Sequence, residues 1–386
     1  MRRIDLAAAF VLGACILVTL SGCDEQKATF QESDPAYLSS WTLMTSDGRS
    51  LLLSAGVVPY QLNSTLFTDY AHKLRTVSLP KNSKAAVNED GSINFPVGTI
   101  ISKTFFYPRE GDVLVKREDK GAFLEPSIGS HGGLDLGKIK LIETRLLVHR
   151  ASGWVALPYV WNEAQTEAKL EITGDAIPLS MIDGTRLDRF TYIIPDKNQC
   201  AGCHATNATT RDIKPIGPRI HNLNRPRDNV GDVTADDSAA GMNQLTFWQR
   251  EQMIDLEVSP ELLPALANWS DKQLDVESRA RAYLDVNCGH CHNEQGAADT
   301  SGLFLNYGIN NPVRLGRCKL PIAAGQGTGG NKYSIVPGQP DASILVYRMQ
   351  SLDPGAMMPE LGRSLVHREG VEIISNWIAS MDGACE

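Results

Sequence analysis

Tyr283-Leu284-Asp285-Val286-Asn287-Cys288-Gly289-His290-Cys291-His292 carries the most informative pattern in this chain. Its last five residues read Cys-x-x-Cys-His. The same pattern stands earlier, at Cys200-Ala201-Gly202-Cys203-His204. Two residues between the cysteines place both sulfurs on one short helical turn, and the next residue projects its imidazole beside them. This is the attachment signature of haem c, in which the thiols bond to the porphyrin vinyl carbons and the histidine takes the iron. The spacing predicts two covalently bound haems. Cys200, Cys203 and His204 would hold the first; Cys288, Cys291 and His292 would hold the second. His290, between two cysteines, reads as surface-exposed.

Other uses of paired cysteines fit less well. Zinc ribbons separate their two pairs by roughly 15–20 residues, far less than the separation here, and leave the histidine after each pair unexplained. A thioredoxin-like redox pair needs a βαβ setting, which neither motif has.

Outward from the second motif, Ser270-Asp271 offers a helix cap, and Leu274, Glu277, Ala280, Tyr283 and Leu284 follow at helical spacing. Residues 370–381 read as a closing helix with Val371, Ile374, Trp377, Ile378 and Met381 on its apolar face. A helix entering the motif and a helix ending the chain resemble class I cytochrome c, where two such helices cross beside the haem. That resemblance implies a mostly α-helical domain over residues 266–386, with Tyr283 and Trp377 at the crossing. Met357-Met358-Pro359 lies between the two helices. A thioether is a soft ligand that favours Fe(II), so Met358 is the expected sixth ligand of the second iron, with Met357 as the fallback. Met349, on an expected helix over residues 341–350, reads as core with Ile344 and Leu345. Gly325-Gln326-Gly327-Thr328-Gly329-Gly330 lacks the preceding strand and following lysine of a phosphate loop and reads as a flexible loop.

The first motif follows Phe190-Thr191-Tyr192-Ile193-Ile194-Pro195, a strand pattern, and no amphipathic helix leads into it. Its haem is therefore expected at the junction of the two halves of the chain. The sixth ligand is open among His221, Met242, Met253, His131 and His149, each more readily a structural residue, and a five-coordinate iron. Residues 41–195 read as β-rich and sandwich-like. Residues 92–106, 141–149, 154–161 and 168–172 form strands, and Arg150-Ala151-Ser152-Gly153 turns a hairpin. His72 is a candidate site residue, though more readily a packed core histidine. Residues 225–240 are Asp-rich and read as a linker within a first haem segment over 196–265. The expected class is α+β and multidomain.

Arg2 and Arg3 precede an apolar run at residues 6–20, too short to span a bilayer but right for an export signal. Leu20-Ser21-Gly22-Cys23 resembles the lipobox of bacterial lipoproteins. It implies a leader over residues 1–22, a lipid on Cys23, a tether over 23–40 and attachment in the cell envelope facing the periplasm. Asp24 slightly favours the inner membrane. Of the eight cysteines, Cys15 leaves with the leader and Cys318 and Cys385 remain unassigned. In an oxidising compartment they are expected to form a disulfide. The chain has 386 residues, 42% hydrophobic and 21% charged, enough for more than one domain with a sizeable core. Its net charge of −8 argues against a nucleic-acid partner and suits a basic redox partner protein.

Together the 283–292 stretch, Val336-Pro337-Gly338, Ser343-Ile344-Leu345, Met357-Met358-Pro359, the segment 66–73 and Trp161-Asn162 resemble an uncharacterised family of bacterial dihaem c-type cytochromes. The resemblance covers most of the chain after the leader. It implies two covalent haems, an envelope location and the same six haem-binding residues, with Met358 as well. The expected function is electron transfer in the cell envelope. The competing expectation is a dihaem peroxidase-like or oxidase-like enzyme whose first haem meets substrate.

Overall fold

The computed structural model describes residues 27–386 except 112–113, 118–133, 206, 228–240 and 323. The leader, Cys23, His131 and most of the Asp-rich segment lie outside the described residues.

The first half of the chain supplies β1 (Met44–Ser46), β2 (Ser50–Leu53), β3 (Val58–Pro59), β4 (His72–Ser78), β5 (Ala86–Val87), β6 (Ile93–Asn94), β7 (Ile100–Glu110) and β8 (Leu114–Lys116). It continues through β9 (Leu134–Asp135), β10 (Ile139–Arg150), β11 (Gly153–Trp161), β12 (Ala168–Leu170), β13 (Asp175–Asp183) and β14 (Arg186–Ile194). Nine of these strands make one sheet in the order β12-β11-β10-β7-β8-β13-β14, with β4 also on β7 and β3 on β4. The β10–β11 hairpin closes at Arg150↔Gly153. Gly153 sits at φ +109°, a left-handed backbone suited to glycine, so the chain reverses there without strain.

Period-two alternation sorts β7 onto two faces. Ile100 and Phe106 join Leu146, Val148, Leu157 and Tyr159 in a core covered by Leu51, Leu53 and Leu134 of the small β1-β2-β9 sheet. Ile101, Phe105 and Tyr107 point the other way. Ile101 packs with Val77, Leu223, Phe247 and Trp248. Phe105 and Tyr107 pack with Leu179, Met181, Tyr192 and Ile194. The expected sandwich is thus one large sheet with a small sheet over part of one face.

The helices are α1 (Lys197–His204), α2 (Ile220–Leu223), α3 (Gln244–Arg250), α4 (Val276–Leu284), α5 (Ile344–Gln350) and α6 (Arg368–Ala379). In segment 196–265, α2 and α3 bury Leu223, Leu245, Phe247 and Trp248 against the sheet, while the expected linker over 225–240 lies mostly outside the described residues. The expected tether is also partly core. Thr29 donates to the Trp41 carbonyl, Leu38 and Trp41 are buried, and Arg150 binds Asp34.

Strand residues outweigh helical ones, 28% to 21%, and the mostly α-helical cytochrome c-like domain expected over residues 266–386 is not present. α4 and α6 do pack together, with Ala280, Tyr283, Leu284, Ile373, Ile374, Trp377 and Ile378 in one core. Between them, α5 is the one α-helix among the described residues, and the rest is turns and loops. Gly, Pro and Asn punctuate residues 293–343 closely enough to stop helices from propagating. The cap also falls later than expected. Asp275, not Ser270-Asp271, accepts the Ser278 N–H, and Leu274 is exposed.

Candidate functional site

β14 ends beside Pro195, and Asp196 then starts α1. Its carboxylate accepts the N–H groups of Asn198 and Gln199, and the Gln199 side chain accepts the Asp196 N–H. This reciprocal cap satisfies donors that a two-turn helix would otherwise leave open. Cys200, Cys203 and His204 then stand three and four residues apart on one helix face. His204 Nδ1 lies 2.8 Å from the Lys214 carbonyl. Facing an acceptor, Nδ1 must carry the proton, which leaves the Nε2 lone pair available. Burial, then the Lys103 charge, pushes the His204 pKa down to about 3, so the ring is neutral at pH 7.

The second motif is built differently. α4 widens into a π-turn over Asp285–Gly289. Asn287 stabilises the widening: its amide donates to the Tyr283 carbonyl, and its oxygen accepts the Phe67 N–H. A π-turn held by an inserted side chain is a common device for aiming functional groups. Gly289 permits a close approach, since a Cβ there would meet Asn306 Cα at 2.8 Å. His292 Nδ1 lies 3.2 Å from the Leu303 carbonyl, and burial lowers its pKa. Both motif histidines are therefore held in the same tautomer by a backbone oxygen.

The fold brings the two motifs together. Cys291 Sγ sits 3.5 Å from the Gly202 carbonyl, across 89 residues of sequence. His290 is correspondingly half-buried rather than surface-exposed. Its Nδ1 is shut away from solvent with at most a poorly aligned contact to the Val286 backbone among the described residues, and burial takes its pKa down to about 4. A single-residue view missed this, because burial of a side chain depends on what the fold packs around it.

A cavity of about 660 Å³ opens against Cys200, Cys203 and His204. Gly289 and His290 line it from the second motif, and Lys103, Arg75 and Arg145 from the sheet. Arg145 is bound to Glu143 through both carboxylate oxygens, and Tyr192 donates to the same carboxylate. Lys103 lies opposite both Arg75 and Arg145 in register. Burial and those two cations lower its pKa to about 7. Sequence reading passed over these residues; the one signal was a basic residue at mid-strand.

All four motif thiols are unpaired. Burial raises the pKa of each, to about 12 for Cys288 and Cys291. They are protonated thiols, unlike the low-pKa thiolates of disulfide oxidoreductases.

The other candidates scatter. His221 lines the cavity, but its Nε2 lies 3.2 Å from Asp285 and its ring stacks on Tyr307. Met253 is buried in a core cluster and Met242 packs against it. His149 bonds the Phe95 carbonyl and stacks on Trp154; His72 stacks on Phe106. Met349 is core. Met358 is half-buried on a loop whose backbone is fixed where its N–H meets the Arg348 carbonyl, and Arg348 is the charge that helps lower the His292 pKa. Met357 beside it is buried. Farther along this loop, Leu361 abuts Gly202 of the first motif. Gly325–Thr328 forms a short 3-10 turn. Cys318 and Cys385 form a disulfide with Cα atoms 5.2 Å apart.

The donor set suits haem c: paired protonated thiols, a neutral imidazole with Nε2 free in each motif, and beside the first motif a partly apolar cavity of cofactor size. Among the described residues, no three His, Cys, Asp or Glu side chains are grouped to hold a bare metal ion, and no helix is long and apolar enough to cross a membrane. Compared with protein-family models, curated proteins and solved structures, the chain matches none.

Proposed function

We propose that this chain is a dihaem c-type cytochrome that transfers electrons between redox partner proteins in the bacterial cell envelope, anchored by a lipid on Cys23 and facing the periplasm. One observation carries the reading. Two Cys-x-x-Cys-His segments lie side by side, and each turns its histidine Nδ1 to a backbone carbonyl. Haem c supplies one-electron chemistry, its iron alternating between Fe(II) and Fe(III). The chain's part is to hold and tune. Lys214 and Leu303 fix the rings of His204 and His292 and raise the basicity of the free nitrogens. Met358, on its fixed loop, would favour the reduced state of the second site. The acidic surface suits a basic partner.

The test is a pyridine haemochrome assay with intact mass on protein made in a host that matures c-type cytochromes. Two haems per chain are expected. A chain without bound pigment would falsify the reading.

A dihaem peroxidase-like or oxidase-like enzyme is the second reading. It draws on the cavity beside His204, which the buried His221–Asp285 pair also lines. Optical and EPR spectra with and without hydrogen peroxide separate the two. Low-spin haems without turnover favour the carrier; a reactive high-spin haem favours the enzyme.

A further inference from the structure

The cavity against the first motif contains an electrostatic imbalance. Arg75 on β4, Lys103 on β7 and Arg145 on β10 stand in register across three neighbouring strands, and all three line the cavity. Like charges directly opposite one another destabilise a sheet, and a buried cation without a counter-charge is costly. Arg145 is neutralised by Glu143. Among the described residues, the other two cations have no carboxylate of their own. Arg75, 8% exposed, and Lys103 make no hydrogen bond or ion pair among the described residues; Lys103 lies over the Phe105 ring and feels the Glu143 carboxylate only at a distance, in competition with Arg145.

The carboxylates along the cavity wall are committed elsewhere. Asp90 binds Ser92 and Arg219. Asp285 takes the Tyr307 N–H and meets His221. Glu294 pairs with Arg314. Among the described residues, no carboxylate of the cavity wall is left for Arg75 and Lys103, and an anionic ligand in the cavity would supply that counter-charge.

Position narrows its chemistry. α1 packs over β11, beside β10 and Arg145. Arg75 is two strand spacings farther, roughly 10 Å from Arg145, and Lys103 lies between them. A ligand tethered at Cys200 and Cys203 that reaches Arg75 must be about that long and carry negative charge at its far end.

We propose that Arg75 and Lys103 bind the propionate carboxylates of the haem carried by Cys200 and Cys203. This rests on the haem reading above and adds to it the residues that neutralise the first porphyrin. Guanidinium suits a carboxylate through two parallel hydrogen bonds, and the lysine adds a compact second charge.

The test is a spectroelectrochemical titration of the holoprotein, with resonance Raman spectra of the propionate modes, for wild type, Arg75→Gln, Lys103→Gln and Arg75→Lys. Haems are counted first. Removing a cation beside a haem disfavours the more negative reduced state. One of the two midpoint potentials should therefore fall in each Gln variant, by about tenfold in the oxidised-to-reduced ratio, or about 59 mV for one electron. The propionate modes should shift with it, and Arg75→Lys should retain most of the potential. Should Arg75→Gln not fold, Lys103→Gln carries the same expectation. Two haems per chain with unmoved potentials and propionate modes overturn this assignment alone. A wild-type chain with no haem overturns the haem reading and this assignment together.

Discussion

The first Cys-x-x-Cys-His sits on a two-turn helix at the end of β14, over a nine-stranded sheet, whereas the second closes α4 in a region that is mostly loop. Each presents the same atoms in the same order. Their supports differ: the first borrows rigidity from long strands, and the second relies on a helix crossing, a π-turn held by Asn287, and the Cys318–Cys385 cross-link. The pentapeptide therefore fixes the order of the donor atoms and says little about the backbone and scaffold that hold them.

This contrast can be challenged at four places. The largest effect is expected from Cys318→Ala with Cys385→Ala. Opening a loop of 67 residues should cost about 2–4 kcal/mol. Hydrogen exchange by mass spectrometry should show faster exchange in α6 and unchanged β10. Equal loss in both would mean that the two regions unfold as one unit.

Asp69 probes the seam between them. Its buried carboxylate accepts the N–H groups of Ser364 and Leu365, tying the loop after Met358 to the sheet half of the chain. Burial raises its pKa from 3.8 to about 6. The folded chain thus keeps a proton that the unfolded chain releases between those values. Stability should fall as pH rises through that window, by about 3 kcal/mol in total. Urea midpoints at pH 4 and pH 7, compared with Asp69→Asn, isolate this contribution. Wild type gaining on the variant as pH rises would contradict it.

Gly370→Ala tests the α4–α6 crossing. A Cβ there would lie 2.3 Å from the Tyr283 ring, so one helix must shift, at about 1–3 kcal/mol. A neutral result in chemical denaturation would show that the crossing is looser than its contacts imply. The smallest effect belongs to the first region. Asp196→Ala removes the α1 cap and should cost about 1 kcal/mol, read as faster amide exchange confined to α1.

Much of this was legible in the residues. The β10–β11 hairpin showed its turn and its branched strands, and α4 and α6 showed their periodicity, because local pattern suffices for elements of that length. The helical domain did not follow, since two good helices do not determine what joins them. His290, Lys103 and Arg75 were missed for a different reason. Which face of β7 meets a cavity depends on strand register, and the burial of His290 depends on a fold that brings the second motif beside a backbone 89 residues away. Neither is encoded within a window of sequence. The disulfide was readable because exhaustion of the other cysteines left one pair.

The contact of the Cys291 thiol with the Gly202 carbonyl has a kinetic corollary. On the proposed dihaem reading, cofactors stapled to these neighbouring turns would exchange charge by tunnelling over a fixed gap, independent of viscosity and concentration. An incoming electron would then be shared within the molecule before any second encounter, and the slow steps would be docking and departure.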